Sequence, residues 1–171
     1  MPDTSRLWIY MANRRLTDDE KEKTEKRLQA FIDTWQVHNE DLKASFLIKY
    51  KQFIIILVDE NYQEISGCAI DKSVHLLQAL EKELDIEFLN KLIVSFWEDD
   101  RIKTVGIKEF IDLCQKEIVH KDTIIFDNTI KTKAELAKYW QWYAIGCWTH
   151  KLLKFKHPPK IDFYSPKSSD N

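Results

Sequence analysis

The sequence is poor in glycine, proline and cysteine. Its 171 residues include only 3 glycines and 4 prolines, which argues against long flexible linkers and against glycine-rich phosphate-binding loops. The 3 cysteines are an odd number at wide spacings, so they do not describe a disulfide framework. Reduced thiols in a cytoplasmic protein are the simpler interpretation.

The sequence also lacks a nucleotide-binding loop. A Walker A loop needs the pattern G-x-x-x-x-G-K-[ST], because its glycines let backbone N–H groups surround the phosphates. Lys72-Ser73 is the only Lys-Ser pair near a glycine, and Asp71 occupies the position of the loop glycine. The pattern G-x-G-x-x-G is absent as well. The chain is therefore not a P-loop ATPase, and we expect no cofactor.

Long apolar runs and an excess of basic charge are missing too. The longest clearly apolar stretch, 53–58, is too short to span a bilayer, and the N-terminus lacks the basic and apolar regions of a signal peptide. The net charge is −2, whereas proteins that bind nucleic acid through its phosphates usually carry a basic excess. We therefore expect a cytoplasmic protein with no membrane insertion and no nucleic-acid partner.

What the sequence does contain is the composition of a folded protein. Hydrophobic residues make up 44% of the chain and charged residues 32%, which is typical of globular rather than disordered chains. A chain of this length can bury a real core in one domain, with or without a small appendage.

Patterns in the first part of the chain predict the element order β-α-β-β-α-β. The segment Thr17-Asp18-Asp19-Glu20 has the form of a capping box that begins the first helix, and Asp71 is a candidate cap for the second. The predicted strands cover 6–13, 44–50, 52–59 and 92–97. This order favours an α+β, ferredoxin-like βαββαβ fold, in which both helices pack on one face of an antiparallel sheet.

The rest of the chain is predicted to form a small appendage. Residues 92–97 and 102–105 flank a hairpin turn, and a helix with an apolar stripe follows from Ile107 to Cys114. A short strand over 123–126 and a second capping box at Thr132 come next. The expected division is a core over 1–97, an appendage over 98–150, and a basic, partly disordered tail over 151–171.

One strand-to-helix loop carries the densest set of reactive side chains. A loop that enters a helix N-terminus favours anions and can activate a thiol. The functional interpretation is a nucleophilic Cys68 or Ser73 assisted by Lys72 or His75, or an anion site. The structural interpretation is that Gly67 permits a turn, Cys68 packs, Asp71 caps, and Lys72 and His75 are solvated. The ligand-binding candidates are Ser66, Gly67, Cys68, Asp71, Lys72, Ser73 and His75.

An aromatic cluster is the second candidate region. The segment 139–143 reads Tyr-Trp-Gln-Trp-Tyr, and Trp148 follows shortly after. Trp and Tyr are favoured at interfaces, which makes Trp140, Trp142 and Trp148 candidates for partner binding; alternatively, the rings close the sheet as core. Cys147 and His150 stand three apart, but no second pair stands at ligand spacing, so we expect no metal site.

Several stretches resemble a small bacterial family of uncharacterised proteins that often carry the automatic label "ABC transporter ATPase". The resemblance extends to about Trp148, and 66–75 is its most specific part. It implies no established activity, and the missing phosphate loop contradicts the label. The stretches that carry it are 7–10, 13–14, 42–46, 66–75, 103–105, 122–128 and 132–136.

A weaker similarity concerns residues 101–140. A hairpin, a helix and then Asp122-Thr123-Ile124-Ile125-Phe126 look like the small GYF-type adaptor modules that bind proline-rich peptides, although the Gly-Pro-aromatic triplet of those modules is absent. The resemblance implies a similar shape for this region. Together these observations favour a non-enzymatic binding or adaptor protein, with a small-molecule or anion-binding protein or enzyme as the alternative. A homo-oligomer formed through a sheet edge or the Trp-rich surface is a further expectation.

Overall fold

A computed structural model of the protein describes residues 1–153. The predicted α+β class is confirmed, with four α-helices and nine strands in this part of the chain. Two 3₁₀ turns follow the last strand, at Ala144–Gly146 and Trp148–Leu152. The elements in chain order are β1 (Arg6–Met11), α1 (Asp18–Ile32), β2 (Gln36–Val37), β3 (Glu40–Asp41), β4 (Ala44–Lys49), β5 (Phe53–Val58), α2 (Gly67–Leu84), β6 (Ile93–Glu98), β7 (Arg101–Gly106), α3 (Ile107–Gln115), β8 (Ile124–Phe126), α4 (Lys133–Tyr139) and β9 (Gln141–Tyr143).

The chain divides into two units. The first contains Met1–Lys91 and the returning segment Asn128–Ala134, and the second contains Leu92–Asp127 and the residues from 135 onward. Strand β6, which the sequence interpretation placed in the 1–97 core, belongs to the second unit. Of the basic tail predicted over 151–171, residues 154–171 lie outside the described part.

The first unit is built on a three-stranded antiparallel sheet with the order β1-β5-β4. All six residues of the central strand β5 are buried, as expected for a strand covered on both faces. Side chains from one face of β5, including Ile54 and Ile56, share a core with Leu28 of α1 and Leu77 of α2. Both helices therefore pack on the same face of the sheet.

Helix α1 begins as the sequence predicts. The Thr17 hydroxyl accepts a hydrogen bond from the Glu20 N–H at 3.2 Å, and the Glu20 carboxylate accepts one from the Thr17 N–H at 2.8 Å. This is a complete capping box, which satisfies two backbone donors that the first helical turn leaves free. Arg14 adds two hydrogen bonds to the same carboxylate, at 2.8 and 2.9 Å.

Helix α2 begins five residues earlier than predicted. Its cap is Ser66, whose hydroxyl accepts a hydrogen bond from the Ala69 N–H at 3.2 Å, so the prediction that Asp71 caps this helix is wrong. Ser66 is itself a preferred N-cap residue, and Gly67 is helical rather than part of a turn. The segment expected to be a loop therefore forms the first turns of a helix.

A small hairpin, β2–β3, was not predicted. Its turn places His38 and Asn39 at φ values of 52° and 67°, a left-handed conformation that Asn and His adopt more readily than most residues. Next to the hairpin, the buried Trp35 indole donates a hydrogen bond to the Ala69 carbonyl at 3.0 Å. This bond ties the end of α1 to the first turn of α2.

The ferredoxin-like arrangement is not confirmed, because the predicted fourth strand lies in another sheet. Strand β6 pairs with β7 on one side and with β8 on the other. A tight turn with Asp99 at φ 54° closes the six-pair β6–β7 hairpin. Both edges of β6 are therefore occupied within the second unit, which leaves the first sheet with three strands.

The second unit is built on a four-stranded antiparallel sheet with the order β7-β6-β8-β9. Its core joins Val94 and Phe96 of β6 to Phe110 and Cys114 of α3. Trp142 packs against the margin of this core from β9.

No helix of residues 1–153 is both long enough and apolar enough to cross a membrane.

Candidate binding surfaces

The aromatic residues of the second unit divide into a buried and an accessible set. Trp140 is only 5% exposed and lies edge-on to Phe126 with 5.3 Å between ring centroids. Tyr139 is 44% exposed and Trp148 is 38% exposed, while Trp142 and Tyr143 are half-buried. The interpretation as core therefore describes Trp140, whereas the other four residues are exposed in full or in part. We call Tyr139, Trp142, Tyr143 and Trp148 the aromatic surface.

Trp142 is the ring that links this surface. The Tyr139 ring meets it nearly perpendicularly, at 80° and 5.5 Å between centroids, and the Tyr143 ring lies 6.1 Å away. Edge-to-face pairs of this kind are favourable beyond the area they bury. Trp148 packs on Phe110 of the underlying core, with 6.4 Å between centroids. Neighbouring aromatic rings therefore restrict each indole of the surface.

The Trp142 indole packs directly against the backbone of Gly146. A Cβ atom at this position would lie 2.1 Å from Trp142 Nε1 and 2.4 Å from its Cδ1. Since real Cβ contacts are essentially never closer than 3.0 Å, only glycine allows the indole to rest on the backbone here. Gly146 was not among the residues predicted to be functional, and its only sequence signal is its position four residues after a tryptophan.

Backbone and hydroxyl hydrogen bonds hold the segment that carries the surface. Strand β9 is fixed to β8 by the Asp127 N–H donating to the Trp140 carbonyl at 2.7 Å and by the Ala144 N–H donating to the Thr123 carbonyl at 2.8 Å. The fully buried Thr149 hydroxyl donates to the Ala144 carbonyl at 2.8 Å. These hydrogen bonds therefore hold in place the segment that carries the aromatic surface.

Cys147 and His150 do not form a metal-binding pair in this structure. The His150 Nδ1 lies 2.8 Å from the Cys147 carbonyl oxygen, so the ring contacts the backbone rather than the thiol. Burial, with a smaller effect of Asp127, raises the pKa of the Cys147 thiol to about 12, whereas metal ions bind the thiolate. Within the described chain, no group of three or more His, Cys, Asp or Glu side chains could hold a metal ion.

The first turns of α2 place most of the predicted loop residues on an exposed helix face. Cys68, Asp71, Lys72 and His75 are all exposed, and their spacing of i, i+3, i+4 and i+7 puts them on one side of the helix. The expectation that Cys68 packs is therefore wrong, because its thiol faces solvent. The expectation that Lys72 and His75 are solvated is confirmed.

The two hydroxyls of this segment have structural partners. Ser66 caps the helix, as described above, and the buried Ser73 donates its hydroxyl hydrogen to the Ile70 carbonyl at 2.7 Å. Burial raises the pKa of the nearby Tyr10, and a hydrogen bond with Ser73 offsets part of that rise. The predicted site thus separates into structural hydroxyls and an exposed Cys-Asp-Lys-His face, with Gly67 exposed beside it.

Comparison with known proteins does not identify the chain: it matches no protein-family model, no curated protein and no solved structure.

Proposed function

We propose that the protein is a non-enzymatic binding or adaptor protein, which docks a partner protein on the aromatic surface of its second unit. The observation that supports this function is the half-buried Trp142, which rests on Gly146 and meets Tyr139 edge-on. Rings held in this way offer large contact areas and lose little conformational entropy on binding.

The partner that we propose is an extended peptide segment. The surface extends from the end of α4 over the short strand β9 to the 3₁₀ turn Trp148–Leu152, and its rings provide flat apolar faces together with indole N–H and phenol groups. Aromatic-lined surfaces of this kind suit polyproline helices, which lose little entropy on binding. The resemblance to GYF-type modules makes a proline-rich peptide the first probe.

Indole signals in a nuclear magnetic resonance titration test this proposal. The chain has 6 tryptophans, so a ¹H–¹⁵N spectrum contains one resolvable indole signal for each, assigned by single Trp→Phe variants. We expect proline-rich peptides to shift the Trp142 and Trp148 signals in a saturable manner. The buried Trp35 of the first unit serves as the internal control, and its signal should not move.

A pair of variants separates binding from folding. Trp142→Ala together with Trp148→Ala should abolish the peptide-induced shifts of backbone amide signals in the second unit and leave the Trp35 indole signal in place. If the double variant bound every detected partner as well as the natural chain does, the aromatic surface would be excluded as the docking site. Shifts at Trp35 alone would also contradict the proposal.

The exposed α2 face supports a second candidate function, the binding of a small anionic molecule. Cys68, Lys72 and His75 lie together in solvent at the start of a helix, where anions are favoured. A thermal-shift screen with phosphate and anionic metabolites tests it. A ligand at about a hundred times its Kd adds roughly 2.7 kcal/mol to stability, and Lys72→Ala should remove that shift.

The location that we propose is the bacterial cytoplasm. All three cysteines are free thiols in the structure, which suits a reducing compartment. Thiol labelling in intact cells before and after lysis would test this assignment.

A further inference from the structure

The two edges of the first-unit sheet differ in whether the chain covers them. On the β1 edge, the Leu7 N–H donates to the Lys131 carbonyl at 2.8 Å, and the Lys133 N–H donates to the Ser5 carbonyl at 3.0 Å. The returning segment therefore closes this edge. On the opposite edge lies β4, and no other strand of the described residues pairs with its outer side.

The hydrogen-bonding pattern shows which backbone groups of β4 point outward. The Asp59 N–H donates to the Lys43 carbonyl at 2.9 Å, so Lys43 and Asp59 form a hydrogen-bonded pair of the β4–β5 ladder. Bonded and non-bonded pairs alternate along an antiparallel ladder. The backbone groups of Ala44, Phe46 and Ile48 therefore face away from β5, toward the open edge.

The usual protection of an exposed edge is weak here. Residues 44–48 contain no proline and no charged residue, and the register with β5 is uninterrupted. Leu47 is 42% exposed. Because unprotected edges are templates for added strands, this edge has the features that an extended backbone needs for pairing. The only charges on it are Lys43 and Lys49, at its two ends.

We infer that a second copy of this chain occupies the β4 edge, through antiparallel pairing about a twofold axis at Phe46. In this register Ala44 of one copy lies opposite Ile48 of the other, and Ser45 lies opposite Leu47. Small residues stand at one end of the strand and large residues at the other, so twofold pairing places small opposite large on both faces. About six backbone hydrogen bonds would form, two for each outward-facing pair.

Charge at the ends of the strand sets the strength of this interface. The register places Lys43 opposite Lys49 of the other copy, and like charges in directly opposite positions are unfavourable. Lys43 already has an ion pair with Asp59 at 3.4 Å, whereas no described residue forms an ion pair with the exposed Lys49. The pairing therefore predicts a weak dimer that tightens as salt screens the lysines.

Sedimentation equilibrium of the full chain across a wide range of concentrations tests this inference. Lys49→Glu converts two like-charge pairs into two opposite-charge pairs, so we expect the dimer Kd to fall about tenfold. Ala44→Pro removes one outward N–H per copy, a change that edge strands tolerate, and should raise the Kd about thirtyfold. Melting temperatures establish that both variants are folded.

Lys108→Glu is the matched control, because it makes the same charge change at an exposed position on α3 of the other unit. It should leave the Kd unchanged. A chain that stays monomeric both as the natural sequence and as Lys49→Glu would overturn the inference. A dimer whose Kd responds to neither Lys49→Glu nor Ala44→Pro would overturn it as well, since its interface would lie elsewhere.

Discussion

The close contact between the Trp142 indole and Gly146 gives a specific prediction for Gly146→Ala. The added methyl group would meet Trp142 Nε1 at 2.1 Å, more than an ångström inside ordinary van der Waals contact at about 3.5 Å. Gly146 does not have a positive φ, so the substitution adds no backbone strain. The whole change in stability therefore comes from the clash between the methyl group and the indole. Either the ring moves outward and loses its contacts, or the turn shifts.

Overpacking of this size costs about 1–3 kcal/mol, which corresponds to a fall in Tm of roughly 2–12 °C for a chain of this length. Differential scanning calorimetry measures the change in Tm, and the Trp142 indole signal reports the displacement of the ring. Gly67→Ala is the matched control, because nothing lies within 4 Å of its added methyl group. Its Tm should be unchanged or slightly higher.

A double-mutant cycle with Trp142→Ala completes the experiment. Once the indole is removed, Gly146→Ala should have almost no further effect, which gives a coupling energy close to the full cost of the single variant. An equal cost of Gly146→Ala in both backgrounds would refute the reasoning, because the methyl group would then be clashing with something other than Trp142.

Three further predictions concern caps, thiols and the buried indole. Hydrogen bonds from Arg14 and the Thr17 N–H lower the pKa of Glu20 from 4.5 to about 2. The contribution of the Glu20 carboxylate to stability is therefore present above pH 4.5 and is lost as the pH falls toward 2. The Tm difference between the natural chain and Glu20→Gln should disappear over that range. Burial raises the pKa of Cys114 and Cys147. A thiol reagent at neutral pH should therefore modify Cys68 alone in the native chain and all three cysteines after unfolding. Rapid modification of a second thiol in the native chain would contradict the described packing. Trp35→Phe removes the hydrogen bond to the Ala69 carbonyl and should lower stability by about 1–2 kcal/mol in urea unfolding, whereas an unchanged midpoint would mean that this bond contributes nothing.

Local signals in the sequence were sufficient for the elements with strong patterns. The Thr17–Glu20 capping box and the six-residue apolar run of β5 each specify one structure, and both are confirmed. Helix α2 was predicted to start too late because Ser66-Gly67 also suits a turn, and the choice depends on whether Ala69 packs into the core. The two-residue strands β2 and β3 are too short to show any periodicity.

The sheet to which β6 belongs could not be derived from local pattern. Its sequence suits either the fourth strand of the first sheet or the first strand of a hairpin with β7, and the outcome depends on its pairing with the distant β8. The candidate surfaces show the same limit. The sequence located the aromatic cluster, but the burial of Trp140 depends on its contact with Phe126, and that contact is not visible in local pattern.

The hydrogen bond from Leu7 to Lys131 has a consequence for folding during synthesis. Its two residues are 124 positions apart in the chain, so β1 leaves the ribosome long before the segment that covers its edge. At translation rates of about 5–20 residues per second, β1 waits roughly 6–25 seconds for that partner. Once β4 and β5 have also been made, and until that segment arrives, the nascent first unit has an uncovered edge on both β1 and β4, with Arg6, Lys43 and Lys49 as the charges beside them.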